Sequence, residues 1–271
     1  MKTAVTLCRV PESAAGPFVF HGPLPESFAE AAALGYDAVE LFLPGPDAVP
    51  AEEIIAMRQQ HGLAIAAVGT GAGMVKHGLS LTDPSPEKRR EALDFLLRMI
   101  GFGGRLGAPA ILGSMQGKWS AEVPREKALD LLAGSLRIAG EAAAACGVPF
   151  IYEPLNRYET NLINHLAAAA TFLEEREIPN VVLLADLFHM NIEETDIAAA
   201  LRAAAPRLGH VHWADSNRHA MGYGHTPAAP VMEVLREISY SGYLSAEIFP
   251  LPDARTAAHQ TLRSISRLPS I

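Results

Sequence analysis

The sequence predicts an α/β fold, a single (β/α)8 TIM barrel spanning residues 1–271. Three observations predict it. Short apolar runs alternate with amphipathic helical stretches from end to end. Eight such pairs can be placed without a composition break or a linker. The 271 residues match the length that one barrel of this kind needs.

In chain order, strand Ala4–Cys8 leads to a helix over Pro25–Leu34, and Gly35 follows it as a left-handed stop. Tyr36-Asp37 turns the chain into strand Ala38–Phe42, followed by helix Glu52–His61 and a second stop at Gly62. Strand Ala64–Val68 comes next. Asp83-Pro84-Ser85-Pro86 introduces helix Pro86–Leu106, where proline fits the first helical position, and Gly107 closes it. Strand Pro109–Leu112 precedes helix Arg125–Cys146, closed by Gly147. The second half pairs Phe150–Glu153 with Leu166–Glu175, Val181–Asp186 with Asp196–Ala204, Gly209–Trp213 with Ala229–Ile238, and Leu244–Ile248 with Ala254–Ser266. A doubly wound open sheet places a glycine-rich phosphate loop after its first strand. Here Arg9-Val10-Pro11-Glu12 offers none.

Composition excludes several functions. A 49% hydrophobic content builds a full core. The net charge of -8 and the lack of a basic stripe argue against nucleic acid, which needs clustered cations to neutralise phosphates. Lys88-Arg89-Arg90 sits between Glu87 and Glu91 and reads as a solvated helix face. Two cysteines, Cys8 and Cys146, both in apolar surroundings, read as buried thiols outside any disulfide framework. No apolar stretch suits a membrane span, and Met1–Val10 reads as a strand, not as a signal peptide. The expected location is cytoplasmic. A homo-oligomer is compatible with the sequence, which leaves the oligomeric state open.

The chemistry is expected at the C-terminal ends of the strands, where barrel active sites form. The last four strands end in Glu153, Asp186, His212 and Glu247. They are separated by 33, 26 and 35 positions, each about one βα unit. Residues two apart on a strand share a face. Ile151 with Glu153, Leu184 with Asp186, His210 with His212 and Ser245 with Glu247 can therefore all look inward. Tyr152, Ala185, Val211 and Ile248 face the helices. Three unpaired carboxylates in one barrel mouth would repel each other, and a divalent cation removes that problem. Oxygen-rich ligands with one imidazole suit Mn2+, Mg2+ or Co2+, with Zn2+ also admissible. Mn2+ is the expected ion.

The segments Glu153-Pro154-Leu155-Asn156-Arg157-Tyr158-Glu159-Thr160, Ala185–Glu194, His210–Arg218 and Ala246-Glu247-Ile248 resemble the sugar isomerase/epimerase family with a xylose-isomerase-like barrel, in its ketose 3-epimerase branch. Within that branch, Val68–Gly71, Gly78–Thr82 and Glu247–Pro252 are most similar to 5-keto-L-gluconate epimerases. The resemblance implies an enzyme of the isomerase class that epimerises a keto sugar or keto sugar acid beside its carbonyl. It implies that Glu153 and Glu247 both bind metal and carry protons. It also implies that Glu159, His189 and Arg218 contact the substrate.

Two segments depart from the pattern. After Gly222-Tyr223-Gly224-His225 the family carries an aromatic–acidic–aromatic run, where this chain has Thr226-Pro227-Ala228-Ala229. After the fourth strand the keto-acid members carry more arginine, where this chain has Gln116-Gly117-Lys118-Trp119. Lys118, Lys76 and Arg218 remain as cations for a substrate carboxylate, and substrate choice is expected at these two loops. Trp119 reads equally as a lid or as loop packing. Glu159 reads as a substrate contact or as a partner of Arg157, and His189 as a substrate contact or a capping histidine.

Four rival readings differ in class or substrate. A neutral ketohexose 3-epimerase has the same site without a carboxylate-binding residue, and an aldose–ketose isomerase differs in its product. A related barrel endonuclease for abasic DNA needs a three-zinc cluster with more histidines on early strands, whereas here strands three and four end in Gly69-Thr70 and Gly113-Ser114. The non-enzyme rival is a sugar-binding barrel without turnover.

Overall fold

In the computed structural model, which describes residues 1–267, eight parallel strands close into a barrel in sequential order. They are β1 (Lys2–Cys8), β2 (Ala38–Phe42), β3 (Ala64–Gly69), β4 (Ala110–Leu112), β5 (Phe150–Tyr152), β6 (Val181–Asp186), β7 (Leu208–His212) and β8 (Tyr243–Ala246). β1 pairs with both β2 and β8, which completes the closure. The outer helices are α1 (Leu24–Leu34), α2 (Ala51–His61), α4 (Pro86–Leu106), α5 (Arg125–Ala145), α6 (Leu166–Glu175), α8 (Ile197–Ala204), α9 (Ala228–Glu237) and α10 (Ala254–Ser266). All eight expected pairs are present, and their ends shift by one or two residues, as fraying ends do. The glycine stops at Gly35, Gly62 and Gly107 each hold positive φ.

Two short helices were not foreseen: α3 (Ala72–His77) and α7 (Leu187–Glu193). Each lies in a βα connection and is too short to show a periodicity. α7 follows β6 with no loop between them. Its signal was Asp186 itself, whose Oδ1 accepts the Phe188 N–H at 2.9 Å and caps the helix.

Strand alternation sorts the core into two regions. Outward residues such as Tyr152, Ala185, Val211 and Ile248 join the large apolar layer between barrel and helices. Inward, Ala67, Ile111, Ile151 and Leu184 pack together inside the barrel, and small residues Ala4, Ala38 and Ala66 form a separate cluster. Bulges between Val39 and Glu40 and between Leu183 and Leu184 adjust the register. After the second bulge Asp186 stands opposite His212.

Of the two thiols, Cys8 is buried as expected, but Cys146 is exposed. It lies one residue past α5 as its C-cap, with its side chain beside Gly104 of α4. No helix among the described residues is long and apolar enough to cross a membrane.

Candidate metal centre and substrate pocket

At the C-terminal mouth, Glu153, Asp186, His212 and Glu247 each bring one ligand atom to within 4.8 Å of the others. His212 Nδ1 lies 3.3 Å from Asp186 Oδ2, 3.3 Å from Glu247 Oε2 and 3.7 Å from Glu153 Oε1. All are buried except Glu247, which is half-buried. Room for Glu153 comes from Gly113, where a Cβ atom would stand 2.7 Å from Glu153 Oε2.

The electrostatics of this cluster are unbalanced. Burial pushes the Glu153 carboxyl well above the usual carboxylate range; Glu247 and Asp186 add to the push and His212 opposes it. Burial acts the same way on Asp186, but Arg218, His189 and His212 outweigh it and hold that group low. Glu247 is also held low against its burial, by His212 and Arg218. The imidazole of His212 is raised despite burial, by Glu247 and Glu40. Glu153 Oε1 is buried without a hydrogen-bond partner. An orphaned carboxylate oxygen beside two further carboxylates and one imidazole is a donor set that fits a hard divalent cation.

The expected substrate residues surround this cluster. His189 stands three residues after Asp186 on α7, so the helix brings its Nε2 to 3.7 Å from both Asp186 Oδ2 and Glu153 Oε1. Its Nδ1 meets the Asn156 side-chain amide at 2.7 Å. Glu159 accepts from the same amide at 3.1 Å. It is not the partner of Arg157, which pairs with the buried Glu193 at 2.9 Å. Arg218 donates to Glu247 and lies 3.2 Å from Asp186 Oδ2, with its guanidinium 4.7 Å above the Phe188 ring. It holds a left-handed φ of 59°, a conformation that non-glycine residues adopt only when their surroundings impose it.

Asp215 supplies much of that constraint. Its buried carboxylate accepts backbone N–H groups of Ser216, Gly222, Gly224 and Thr226 at 2.7–2.9 Å. A Cβ on Gly224 would come within 2.5 Å of Asp215 Oδ1. Burial alone would raise the Asp215 carboxyl; the four amides overcome it and hold the group below its ordinary value. A depressed native value means stability that is present at neutral pH and is lost as pH falls through that value. Asp215→Asn is therefore expected to lower Tm at pH 7. The gap from wild type should narrow as pH falls from about 5 towards 3, across the ordinary carboxylate range. Thermal melts across that range check it, and a gap that stays constant with pH rejects it.

A cavity of about 520 Å3 opens over the cluster, a size suited to a small ligand. Its walls correct one expectation. Neither Gln116–Trp119 nor Thr226–Ala229 lines it; the lip comes from Glu12–Phe18, Gly69–Gly71, Phe188 and Phe249. The Trp119 backbone is tied to Asn161 by reciprocal bonds of 2.9 and 3.1 Å, while its side chain is exposed away from the cavity lining. Gln116 is wholly buried, donates to the Glu153 carbonyl at 3.0 Å and accepts from the Tyr152 hydroxyl at 2.9 Å. It braces the end of β5. Sequence reasoning also missed Glu40, the one acid in an otherwise apolar β2, at an inward position. Its parity on the strand was the signal.

A closed parallel barrel with such a cluster at its C-terminal mouth defines a barrel enzyme suited to a divalent cation. The sequence model of the Xylose isomerase-like TIM barrel family matches residues 28–266, and the chain belongs to that family. D-psicose 3-epimerase of Ruminiclostridium cellulolyticum is 31% identical over 225 residues, covering 80% of this chain and 75% of that protein. L-ribulose 3-epimerase of a Methylomonas species is 33% identical over 230 residues, covering 83% and 78%. The structure of D-psicose 3-epimerase from Clostridium cellulolyticum H10 with D-tagatose superposes with a TM-score of 0.82 at 24% identity, over 99% of both chains. The curated relatives are epimerases, which are isomerase-class enzymes acting on sugars, as the sequence resemblance implied. Neither is named for a keto sugar acid.

Proposed function

We propose that the chain is a metal-dependent ketose 3-epimerase acting on a neutral ketose of the D-psicose, D-tagatose or L-ribulose type. The observation that carries the choice of a neutral sugar is the charge of the pocket. Arg218 is its one lysine or arginine among the described lining residues, and it is already engaged by Glu247 and Asp186. Lys76 and Lys118 do not line the cavity, whereas Glu12 and Glu159 do. Outside the metal ligands, a substrate carboxylate would meet Glu12 and Glu159 with no lysine there to receive it. The names of the curated relatives support the same reading.

Glu153, Asp186, His212 and Glu247 would hold the cation, with Mn2+ the ion we favour. Bound there, it supplies the electrophile that polarises the substrate carbonyl and lowers the cost of removing the neighbouring proton. Glu153 and Glu247, carried by strands three steps apart around the barrel, approach the substrate from different sides. One takes the proton from one face of the carbon, and the other returns a proton to the opposite face. Asp186 and His212 act as anchors. Arg218, His189 and Glu159 bind the substrate oxygens, with Phe188 and Phe249 as apolar walls. A cytoplasmic location belongs to this proposal and is supported by two unpaired thiols, one of them exposed, which suit a reducing compartment.

With Mn2+ present, kcat/KM for D-psicose, D-tagatose or L-ribulose is expected to exceed that for 5-keto-L-gluconate and tagaturonate by at least about tenfold, because like-charge juxtaposition costs several kcal/mol. Product analysis by NMR reads the outcome. A preference for the acids would reverse the substrate reading, and an aldose product would replace epimerisation by isomerisation.

A further inference from the structure

One buried polar group near the centre has no part in the scheme above. Glu40 on β2 reaches across the barrel to β7, where its Oε2 lies 2.8 Å from His210 Nε2 and its Oε1 3.1 Å from His212 Nε2. All three residues are buried, with relative exposures of 5%, 1% and 1%. An ionised carboxylate only accepts hydrogen bonds, and a neutral imidazole has one donor and one acceptor nitrogen. In the neutral form that a ligating imidazole takes, the contact with Glu40 therefore places the His212 proton on Nε2. Nδ1, the nitrogen facing Asp186, Glu153 and Glu247, is left with its lone pair.

We propose that Glu40 is a positioning residue for the metal centre, fixing the tautomer and ring orientation of His212, while His210 holds the other oxygen of Glu40 in place. The inference rests on the metal reading of the proposed function. Its logic is that a ligating imidazole becomes a better and better-aimed ligand when its second nitrogen donates to a carboxylate. Two strands three steps apart around the barrel cooperate in it. β7 supplies the ligand and β2 supplies the group that aims it. Bulge-adjusted pairing beside Glu40 and the small residues Ala4, Ala38 and Ala66 accompany this polar layer inside the barrel. A competing arrangement would put a second cation among Glu40, His210 and His212, whose ligand atoms also lie within 4.8 Å of one another. The two nitrogen–oxygen separations are hydrogen-bond lengths, which favours the direct contacts.

The test is calorimetric titration of metal-free, full-length protein with Mn2+, wild type against Glu40→Gln. The expected result is one ion per chain in the wild type and an affinity about 10- to 100-fold weaker in the variant, with metal-free Tm recorded for both. Imidazole 15N–1H spectra of the Mg2+-loaded wild type supply a readout that does not depend on the variant folding. The His212 Nε2 proton should be shifted downfield and protected from exchange, the signature of donation to a carboxylate, which a Glu40 that does not aim His212 would not produce. A folded Glu40→Gln variant that binds Mn2+ within twofold of wild type overturns the proposal. So does a His212 Nε2 proton without that shift, or binding of two ions per chain. In each of those cases wild-type binding leaves the main metal centre standing. A wild type that binds no divalent ion at all overturns both readings together.

Discussion

Glu153→Gln and Glu247→Gln are each expected to lower kcat for epimerisation by about 10²- to 10⁴-fold, the range that a positioned general acid or base contributes, while circular dichroism stays that of the wild type. The expectation follows from the division of labour at the mouth. Inverting a carbon beside a ketone requires removing a proton on one face and delivering one on the other. Asp186 cannot do either readily, because one of its oxygens caps α7 and the other faces His212 and Arg218. The amide of glutamine keeps the size of the side chain but cannot carry the proton. The two variants should also differ from each other. Each retains one working carboxylate, so each should exchange solvent deuterium into one epimer without converting it, and the exchanging epimer should differ between them. Measuring wash-in by NMR alongside conversion checks this. Near-wild-type conversion in either variant would sink the two-carboxylate scheme.

Removing divalent metal by chelation is expected to abolish activity, and adding back Mn2+ should restore it. The larger physical consequence is on stability. Metal-free, the mouth contains three carboxylates around one imidazole, with a buried Glu153 oxygen that has no partner and a Glu153 carboxyl pushed up by burial and by its neighbours. An ion that binds the native state alone stabilises it by about 2.7 kcal/mol at a concentration one hundred times its Kd. For a chain of this size that corresponds to a Tm increase of about 5 °C. Differential scanning fluorimetry with a series of Mn2+, Mg2+, Co2+ and Zn2+ reads both the effect and the preference. Activity and Tm that both survive exhaustive chelation would refute the metal centre.

The parts of this molecule that sequence patterning reaches are those governed by period and by position on a strand. Glu153, Asp186, His212 and Glu247 were legible because a strand end in a parallel barrel has one address, the mouth, and alternation fixes which residues point inward. Tyr152 and Ile248 followed from the same rule. Glu40 obeyed that rule as well, yet it sits within β2 and not at the strand's end, and a search confined to strand ends passes over it. His189 was identified by resemblance, while the helix that presents it was invisible because seven residues are too few to show a period. The cavity walls were least legible. Glu12–Phe18 has no periodicity, and nothing local in Gln116 shows that its amide turns back to the Glu153 carbonyl instead of facing the sugar. The resemblance singled out the loops that depart from the family's pattern, but proximity to the cavity depends on how each loop folds over the barrel rim.

The Glu40, His210 and His212 layer also constrains how this barrel can change over evolutionary time. An apolar residue at position 40 would strand two buried imidazole nitrogens, and an apolar residue at position 210 would leave one oxygen of a buried carboxylate without its partner. Either step alone leaves an unmatched polar group that costs about 1–3 kcal/mol or more. Both changes together would still leave the His212 Nε2 donor buried without its acceptor. Position 40 is therefore expected to keep an acceptor wherever His212 is kept, and position 210 a donor to it, which makes this residue of β2 as informative about lineage as the ligands themselves.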